Sequence, residues 1–253
     1  MNDLFSLEGR RALVTGSSRG LGRGVALALA GAGADVVCAD RGATGGEETA
    51  VEIRALGRTA WSVSADLSTR EAVLAMADEV ERVAGPIDIL VNNAGMIYRQ
   101  PAAEHALESW DAVVRVNMDA VFELCQRFGR GMIARGQGKI INVASLLSFQ
   151  GGINVPGYTA SKHAVAGITK ALANEWARHG VTVNAIAPGY MATDNTQALR
   201  EDENRSREIL GRIPAGRWGT PEDLGGAAVF LASRAGDYVN GHVLVVDGGW
   251  LAR

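Results

Sequence analysis

The stretch Arg11-Ala12-Leu13-Val14-Thr15-Gly16-Ser17-Ser18-Arg19-Gly20-Leu21-Gly22 runs from a short β-forming segment into glycines at 16, 20 and 22. Apolar residues then recur at helical spacing to Ala32, and Gly33 supplies a natural stop, so Gly20–Ala32 is predicted helical. A strand, a glycine turn and a helix N-terminus in that order make an anion-binding corner. The turn exposes backbone N–H groups, and the helix dipole favours negative charge. Without a Cβ, the backbone comes close to a pyrophosphate. The candidate contacts are Gly16, Ser18, Arg19, Gly20, Leu21 and Gly22. The spacing is G-x-x-x-G-x-G rather than G-x-G-x-x-G, and no Gly-Lys-Ser/Thr follows, so this is not a P-loop.

Working outward, the same alternation continues to the end of the chain. Apolar runs at Arg11–Thr15, Asp35–Ala39, Thr59–Val63, Ile87–Val91, Lys139–Val143, Val181–Ile186 and His242–Val246 read as strands buried on both faces. Helical patterns lie between them. Ser68 is expected to cap Thr69–Val83, Ser109–Arg135 reads as one long helix, and Tyr158–His179 stops at Gly180. Thr220-Pro221-Glu222-Asp223 reads as an N-cap, a proline at N1 and acids in the first turn. Strand–helix alternation predicts an α/β fold: a doubly wound, Rossmann-type, seven-stranded parallel sheet with helices on both faces. No linker divides residues 1–253, so a single domain is expected. The charged segment at about 190–217 follows the sixth strand, where ligands bind in such sheets, and is expected to cover a site.

Composition excludes several classes. Of 253 residues, 47% are apolar and 21% charged, as in ordinary globular chains. A net charge of −3 with scattered basic residues leaves no nucleic-acid stripe. Cys38 and Cys125 cannot form a disulfide framework, and no Cys/His cluster has metal-ligand spacing, so no metal is expected. Met1–Phe5 holds no basic segment followed by an apolar run, and no apolar stretch is long enough to span a bilayer. A cytoplasmic protein without membrane contact is expected.

Two further features carry chemistry. Asp40 ends the second strand, 18 residues after Gly22, where a carboxylate can accept from ribose hydroxyls and repel a 2′-phosphate. That favours NAD, while Arg19 and Arg41 could pair with the phosphate of NADP. Tyr158 and Lys162 are four residues apart and share one helix face. An ammonium close to a phenol lowers its pKa, which would make Tyr158 a general acid/base for a carbonyl/alcohol couple. Ser145 follows the fifth strand and could hold the reacting oxygen. Asn117 interrupts the long helix and could bind a water relaying protons to Lys162. A competing reading is a hydrolase, because Gly16-Ser17-Ser18-Arg19-Gly20 also spells G-x-S-x-G, with Asp237 and His242 following.

With these residues the chain resembles the short-chain dehydrogenase/reductase family. The likeness rests on Thr15-Gly16-(x)3-Gly20-Leu21-Gly22, Asp66-Leu67, Asn92-Asn93-Ala94-Gly95, Asn117, Ser145, Tyr158-(x)3-Lys162 and Pro188-Gly189, and it spans essentially the whole chain. The resemblance implies hydride transfer between a nicotinamide and a carbonyl carbon, with Asn117, Ser145, Tyr158 and Lys162 catalytic. It implies that Asp66 and Leu67 contact the adenine side, and that Asn93, Ala94 and Gly95 line the adenosine. Lys162 would hold the nicotinamide ribose, and Pro188, Gly189, Met191 and Thr193 would lie near the carboxamide. It also implies a homotetramer.

Within that family, Ser148–Gly152, Ala187–Thr193, Arg212–Gly219 and Asp247–Arg253 resemble dehydrogenases of deoxy sugar acids. Such a substrate brings a carboxylate and hydroxyls, which call for a guanidinium and amides. Besides Ser145 and Tyr158, the candidates are Arg99, Gln150, Asn154, Asn195 and Arg205. A keto-uronate or a 3-oxoacyl thioester are the alternative carbonyl substrates.

Overall fold

The computed structural model describes residues 3–42 and 44–253. The strands are β1 (Arg11–Thr15), β2 (Asp35–Asp40), β3 (Ala60–Ser64), β4 (Ile89–Asn92), β5 (Gly138–Val143), β6 (Val181–Pro188) and β7 (Val243–Val246). They form one seven-stranded sheet in the order β3-β2-β1-β4-β5-β6-β7, and every pairing is parallel. The helices are α1 (Gly20–Gly31), α2 (Glu47–Ala55), α3 (Arg70–Ala84), α4 (Leu107–Val114), α5 (Ala120–Arg135), α6 (Pro156–Trp176), α7 (Gln197–Glu201), α8 (Glu203–Arg212) and α9 (Gly225–Ala232). Among the described residues, no helix is long and apolar enough to cross a membrane.

Alternate residues of each strand feed two cores. In β1, Leu13 packs into the layer under α3, α5 and α6, while Ala12 and Val14 pack under α1, α2 and α9. The two-residue period is what a sheet covered on both faces demands. The chain winds outward from β1 to β3, then returns to place β4 on the other side of β1. That reversal opens a crevice beyond the carboxyl ends of β1 and β4.

Several boundaries differ from expectation. Thr69, not Ser68, caps α3, accepting from the Ala72 N–H at 3.2 Å. Ser68 is instead folded into a tight turn, its N–H donating to Asp66 at 2.9 Å. The long helix is not continuous: a π-helical stretch, Arg115–Asp119, separates α4 from α5 and carries Asn117. The last helix begins as a 3-10 turn, Pro221–Leu224, inside a capping box of Thr220 and Asp223, before α9. The charged segment at about 190–217 holds two helices, α7 and α8. Asp202 caps α8 by accepting from the Asn204 and Arg205 N–H groups, at 3.0 and 3.1 Å. Helix α2 has no counterpart among the sequence expectations, since its inward face is Thr49, Ala50 and Ile53 and shows little apolar contrast.

A buried polar chain crosses the first core. Asn92 donates to Asn142 Oδ1 at 2.9 Å, Asn142 donates to Thr169 Oγ1 at 3.0 Å, and Thr169 donates to the Val165 carbonyl at 2.8 Å. It ties α6 to β4 and β5. Cys125 joins it as a hydrogen-bond partner of Asn92, and burial pushes its thiol up to about 12, so it is inert.

Candidate active site

The glycine corner is shaped by close approaches. Gly16 has φ +66°, and a Cβ there would lie 2.9 Å from Ala94 Cα. A Cβ on Gly22 would sit 2.0 Å from the Gly16 carbonyl oxygen. Only glycine fits either position. The N-terminus of α1 has no side-chain cap, because Arg19 at the N-cap makes none. Its first N–H groups are therefore left to a ligand. Thr15 splices this corner to the turn after β4: its hydroxyl accepts from the Asn93 and Ala94 N–H groups, at 3.1 and 3.0 Å. Asn93 in turn donates to the Thr15 and Gly16 carbonyls, at 2.9 and 3.0 Å.

A cleft of about 520 Å³ opens here. It is lined by the glycine corner, Asp40, Asp66, the Asn93–Gly95 turn, Tyr158, Lys162 and Thr193. Asp40 is held rigidly: one oxygen accepts from the Ser18 N–H at 2.9 Å and the other from the Arg41 N–H at 2.7 Å. The Ser68 N–H and hydroxyl beside Asp66 hold its carboxyl below the usual range, with help from Arg41. Two anchored carboxylates at one end and a bare helix N-terminus in the middle fit the adenosine and pyrophosphate of a dinucleotide. Leu67 is buried beside Asp66, and Leu21 lines the same cleft. Thr193 lies over Gly20. Gly189 hydrogen-bonds the Val246 carbonyl at 2.9 Å, which sets the exit of β6 after Pro188, and Met191 is buried below it.

At the other end, the Ser145 side chain stands by the Tyr158 phenol and favours its ionised form, while its hydroxyl accepts from the Leu147 N–H at 3.1 Å. Lys162 is buried, donates to the Val143 carbonyl at 2.6 Å, and stands 5.5 Å from the centre of the Tyr158 ring. Burial pushes Lys162 down to about 8. The expected lowering of the Tyr158 pKa is not found. Burial raises it, and Ser145 and the Arg99 charge only partly offset the rise. Lys162, partly desolvated itself, is not among the groups that pull it down.

Asn117 does not offer its side chain to a water. Its amide oxygen accepts from the Met96 N–H at 2.8 Å, and its amide nitrogen donates to the Met96 carbonyl at 2.9 Å and to Ser161 Oγ at 3.2 Å. Thr15 and Ser161 were not anticipated; the signal for Thr15 is a polar residue closing an apolar strand.

The substrate candidates separate. Arg99 donates to the Asn195 carbonyl at 2.9 Å and acts electrostatically on Tyr158, so both reach the reactive end. Gln150 is engaged elsewhere, accepting from Trp250 Nε1 at 3.3 Å. Asn154, at φ +62°, shapes a turn, and its carbonyl accepts from the Gln100 N–H at 2.8 Å. Arg205 pairs with Glu208 at 2.8 Å on the exposed side of α8, away from the cleft. The hydrolase arrangement does not assemble. Ser18 lies at the carboxyl end of the sheet, whereas Asp237 pairs with Lys139 at the start of β5 and His242 precedes β7.

The family model for short chain dehydrogenases matches residues 10–204. The chain belongs to the short-chain dehydrogenase family. It is 56% identical to the 2-dehydro-3-deoxy-D-gluconate 5-dehydrogenase of Bacillus subtilis, over 100% of this chain and 99% of that one. A solved structure from Agrobacterium tumefaciens with bound NADP superposes with a TM-score of 0.93 at 56% identity, over 100% of both chains. A gluconate 5-dehydrogenase from Burkholderia cenocepacia, in complex with NADP and tartrate, superposes with a TM-score of 0.95 at 45% identity, over 99% of this chain and 98% of that one. Like its family, this chain is an oxidoreductase that uses a nicotinamide cofactor.

Proposed function

We propose that this short-chain dehydrogenase interconverts a ketone and a secondary alcohol on a deoxy sugar acid, as a 2-dehydro-3-deoxy-D-gluconate 5-dehydrogenase. The observation that carries the reading is the convergence of Ser145, Tyr158 and Lys162 on one cleft with an uncapped, glycine-rich helix N-terminus. When bound, the nicotinamide supplies or accepts the hydride at the carbonyl carbon. Tyr158 gives its phenolic proton to the carbonyl oxygen during reduction and takes it back during oxidation. Ser145 donates to that same oxygen and orients it. Lys162, 5.5 Å from the centre of the Tyr158 ring, holds ribose hydroxyls. Asn117 keeps the turn after β4 and α6 in register through Met96 and Ser161.

The adenine end is assigned to Asp66 and Leu67, the pyrophosphate to Gly16, Ser18, Arg19, Gly20, Leu21 and Gly22, and the adenosine wall to Asn93, Ala94 and Gly95. Pro188, Gly189, Met191 and Thr193 border the nicotinamide. The anchored Asp40 favours NAD, and Arg19 and Arg41 leave NADP admissible, the cofactor held by the Agrobacterium relative. The substrate carboxylate is assigned to Arg99, with Asn195 beside it; tartrate in the Burkholderia relative is likewise a hydroxy acid. The segment at about 190–217 is read as the cover of the site. Its exposed, charged α8 suits a polar substrate better than an acyl chain. Exposed Leu107, Trp110 and Phe122 on α4 and α5 support assembly as a homotetramer, which sedimentation would measure. A cytoplasmic setting agrees with the two free cysteines.

The test is the initial rate of reduction of 2,5-diketo-3-deoxygluconate, a keto-uronate and a 3-oxoacyl thioester with NADH and NADPH. The deoxy sugar acid should be fastest, and Tyr158→Phe should lower kcat by a factor on the order of a hundred or more with little change in cofactor affinity. A Tyr158→Phe enzyme of undiminished kcat would refute the assignment.

A further inference from the structure

The segment after β6 is closed at its own neck. The Ala192 N–H donates to the Gly219 carbonyl at 2.7 Å, and the Gly219 N–H donates to the Tyr190 carbonyl at 2.9 Å. Tyr190 and Trp218 meet edge to face across that neck, ring centres 5.6 Å apart. Between these points lie α7 and α8, a loop of helices with its ends together. Almost all of α8 faces solvent. Ile209 is its one buried residue, and Ile213 is buried just beyond its end. Both pack into a small cluster with Leu146 and Trp250 that is separate from the two main cores.

Trp250 is the hub of that cluster and is 5% exposed. Its ring lies 4.6 Å from Tyr190 at the neck. The Arg212 guanidinium, at the end of α8, stacks 4.1 Å from it. Its indole N–H donates to Gln150 in the loop that starts at Ser145. Leu146, the residue after Ser145, completes the contact. Trp250 is itself fixed from behind, because Asp247 accepts from the Gly249 and Leu251 N–H groups at 2.7 and 2.8 Å. The far side of the loop reaches the cleft through exposed contacts: Arg19 with Asp194 at 3.0 Å, and Arg99 with the Asn195 carbonyl at 2.9 Å. Solvent-exposed pairs of this kind hold little by themselves. The loop's position therefore depends on its apolar seat and on the backbone at its end, where the Ala215 N–H donates to the Gly248 carbonyl at 3.0 Å.

We propose that Trp250 is a positioning residue that seats the 190–217 segment over the active site and couples it to the Ser145 loop. Through Tyr190, Arg212 and Gln150 it joins neck, helix and loop in one packed unit. It touches no reacting atom; it sets how often Asn195 stands beside Arg99. The role rests on the reading of that segment as the cover of a sugar-acid site.

The experiment compares wild type with Trp250→Ala, Trp250→Phe and Arg212→Ala by limited trypsin digestion and by steady-state kinetics. Arg200, Arg205 and Arg207 lie within the segment; Arg70 and Arg82 on α3 serve as controls. Trp250→Ala is expected to speed cleavage in the segment about tenfold, as the loss of the buried indole's packing together with its cation–π contact to the exposed Arg212 predicts. Cleavage on α3 should not change. The KM for the sugar acid should rise about tenfold, with a smaller fall in kcat. Trp250→Phe keeps an aromatic face and should restore most of the protection. Arg212→Ala, a surface change that spares the fold, should loosen the segment in the same direction by about threefold. Unchanged segment cleavage in both Trp250→Ala and Arg212→Ala overturns the proposal, as does acceleration equal at α3. Digestion needs no substrate. A segment loosened as expected in an enzyme inactive on every sugar acid would overturn the substrate reading alone.

Discussion

Lys162 offers a quantitative test of how dry the reactive end is. Its ammonium is 5% exposed, keeps a single protein acceptor in the Val143 carbonyl, and is pushed by burial from 10.5 to about 8. A fall of about 2.5 at about 1.4 kcal/mol each makes the charged form cost about 3 kcal/mol in the folded state. Below about pH 8 the side chain is charged in both folded and unfolded chains, and the protein carries that cost in full. Between about 8 and 10.5 the unfolded chain binds the proton and the folded one does not, so stability climbs with pH. Lys162→Met removes this titration. The assay is urea unfolding of both cofactor-free proteins from pH 7 to above pH 10. The two thiols and Tyr158, whose pKa values are raised, weaken the fold towards alkali, but both proteins contain them. The difference, wild type minus variant, should therefore rise by about 3 kcal/mol over this window. Lys162→Met should be the more stable protein at pH 7, and inactive. A flat difference would refute the reasoning, because it would mean that the ammonium is fully hydrated through the cleft.

Two further substitutions probe the cofactor half. Asp40→Ala removes a carboxylate already held by two backbone N–H groups; titration calorimetry should show NAD binding weakened about tenfold, as expected for a charged hydrogen bond, and NADP binding weakened less. Equal losses would overturn the preference for NAD. Gly22→Ala places a methyl 2.0 Å from the Gly16 oxygen and 2.4 Å from Asn93 Nδ2, so the corner must open. Unfolding should be easier by about 1–3 kcal/mol, with cofactor affinity falling more than substrate affinity.

What the sequence showed and what it hid follow from range. The glycine corner and the Tyr158–Lys162 pair are local features, fixed by spacing along one turn and one helix. The strands were legible because a sheet covered on both faces must be apolar throughout, as β6 is from Val181 to Pro188. The departures from expectation are contests between partners, one decided by immediate neighbours and two by contacts far along the chain. Ser68 has the residue type of a cap, but Asp66 takes its N–H, and Thr69 caps instead. Residues 107–135 keep helical periodicity, but the pull of Asn117 on Met96, 21 residues upstream, is met by a π turn. Gln150 has the residue type of a sugar ligand, yet it answers to Trp250, 100 residues away. No spacing rule reports such a partner.

The reversed direction at Tyr158 bears on the chemistry. A sequence reading that sees only a tyrosine one turn from a lysine predicts an acidified phenol. In the folded chain, burial raises the phenol, and the nearby charge that offsets this is Arg99, not Lys162. The cofactor-free site therefore holds a neutral phenol at neutral pH, with Ser145 at its oxygen. That is the protonation state ketone reduction requires, because Tyr158 must then give a proton. Oxidation of the alcohol needs the phenolate and must draw on charge brought by the ligands. Arg99 also receives the substrate carboxylate in this reading. A bound sugar acid would neutralise the guanidinium, weaken its pull on the phenol, and keep Tyr158 protonated for the reductive step. In the proposed reading one side chain, Arg99, both reads the carboxylate and tunes the acid, and it donates to the Asn195 carbonyl of the segment after β6.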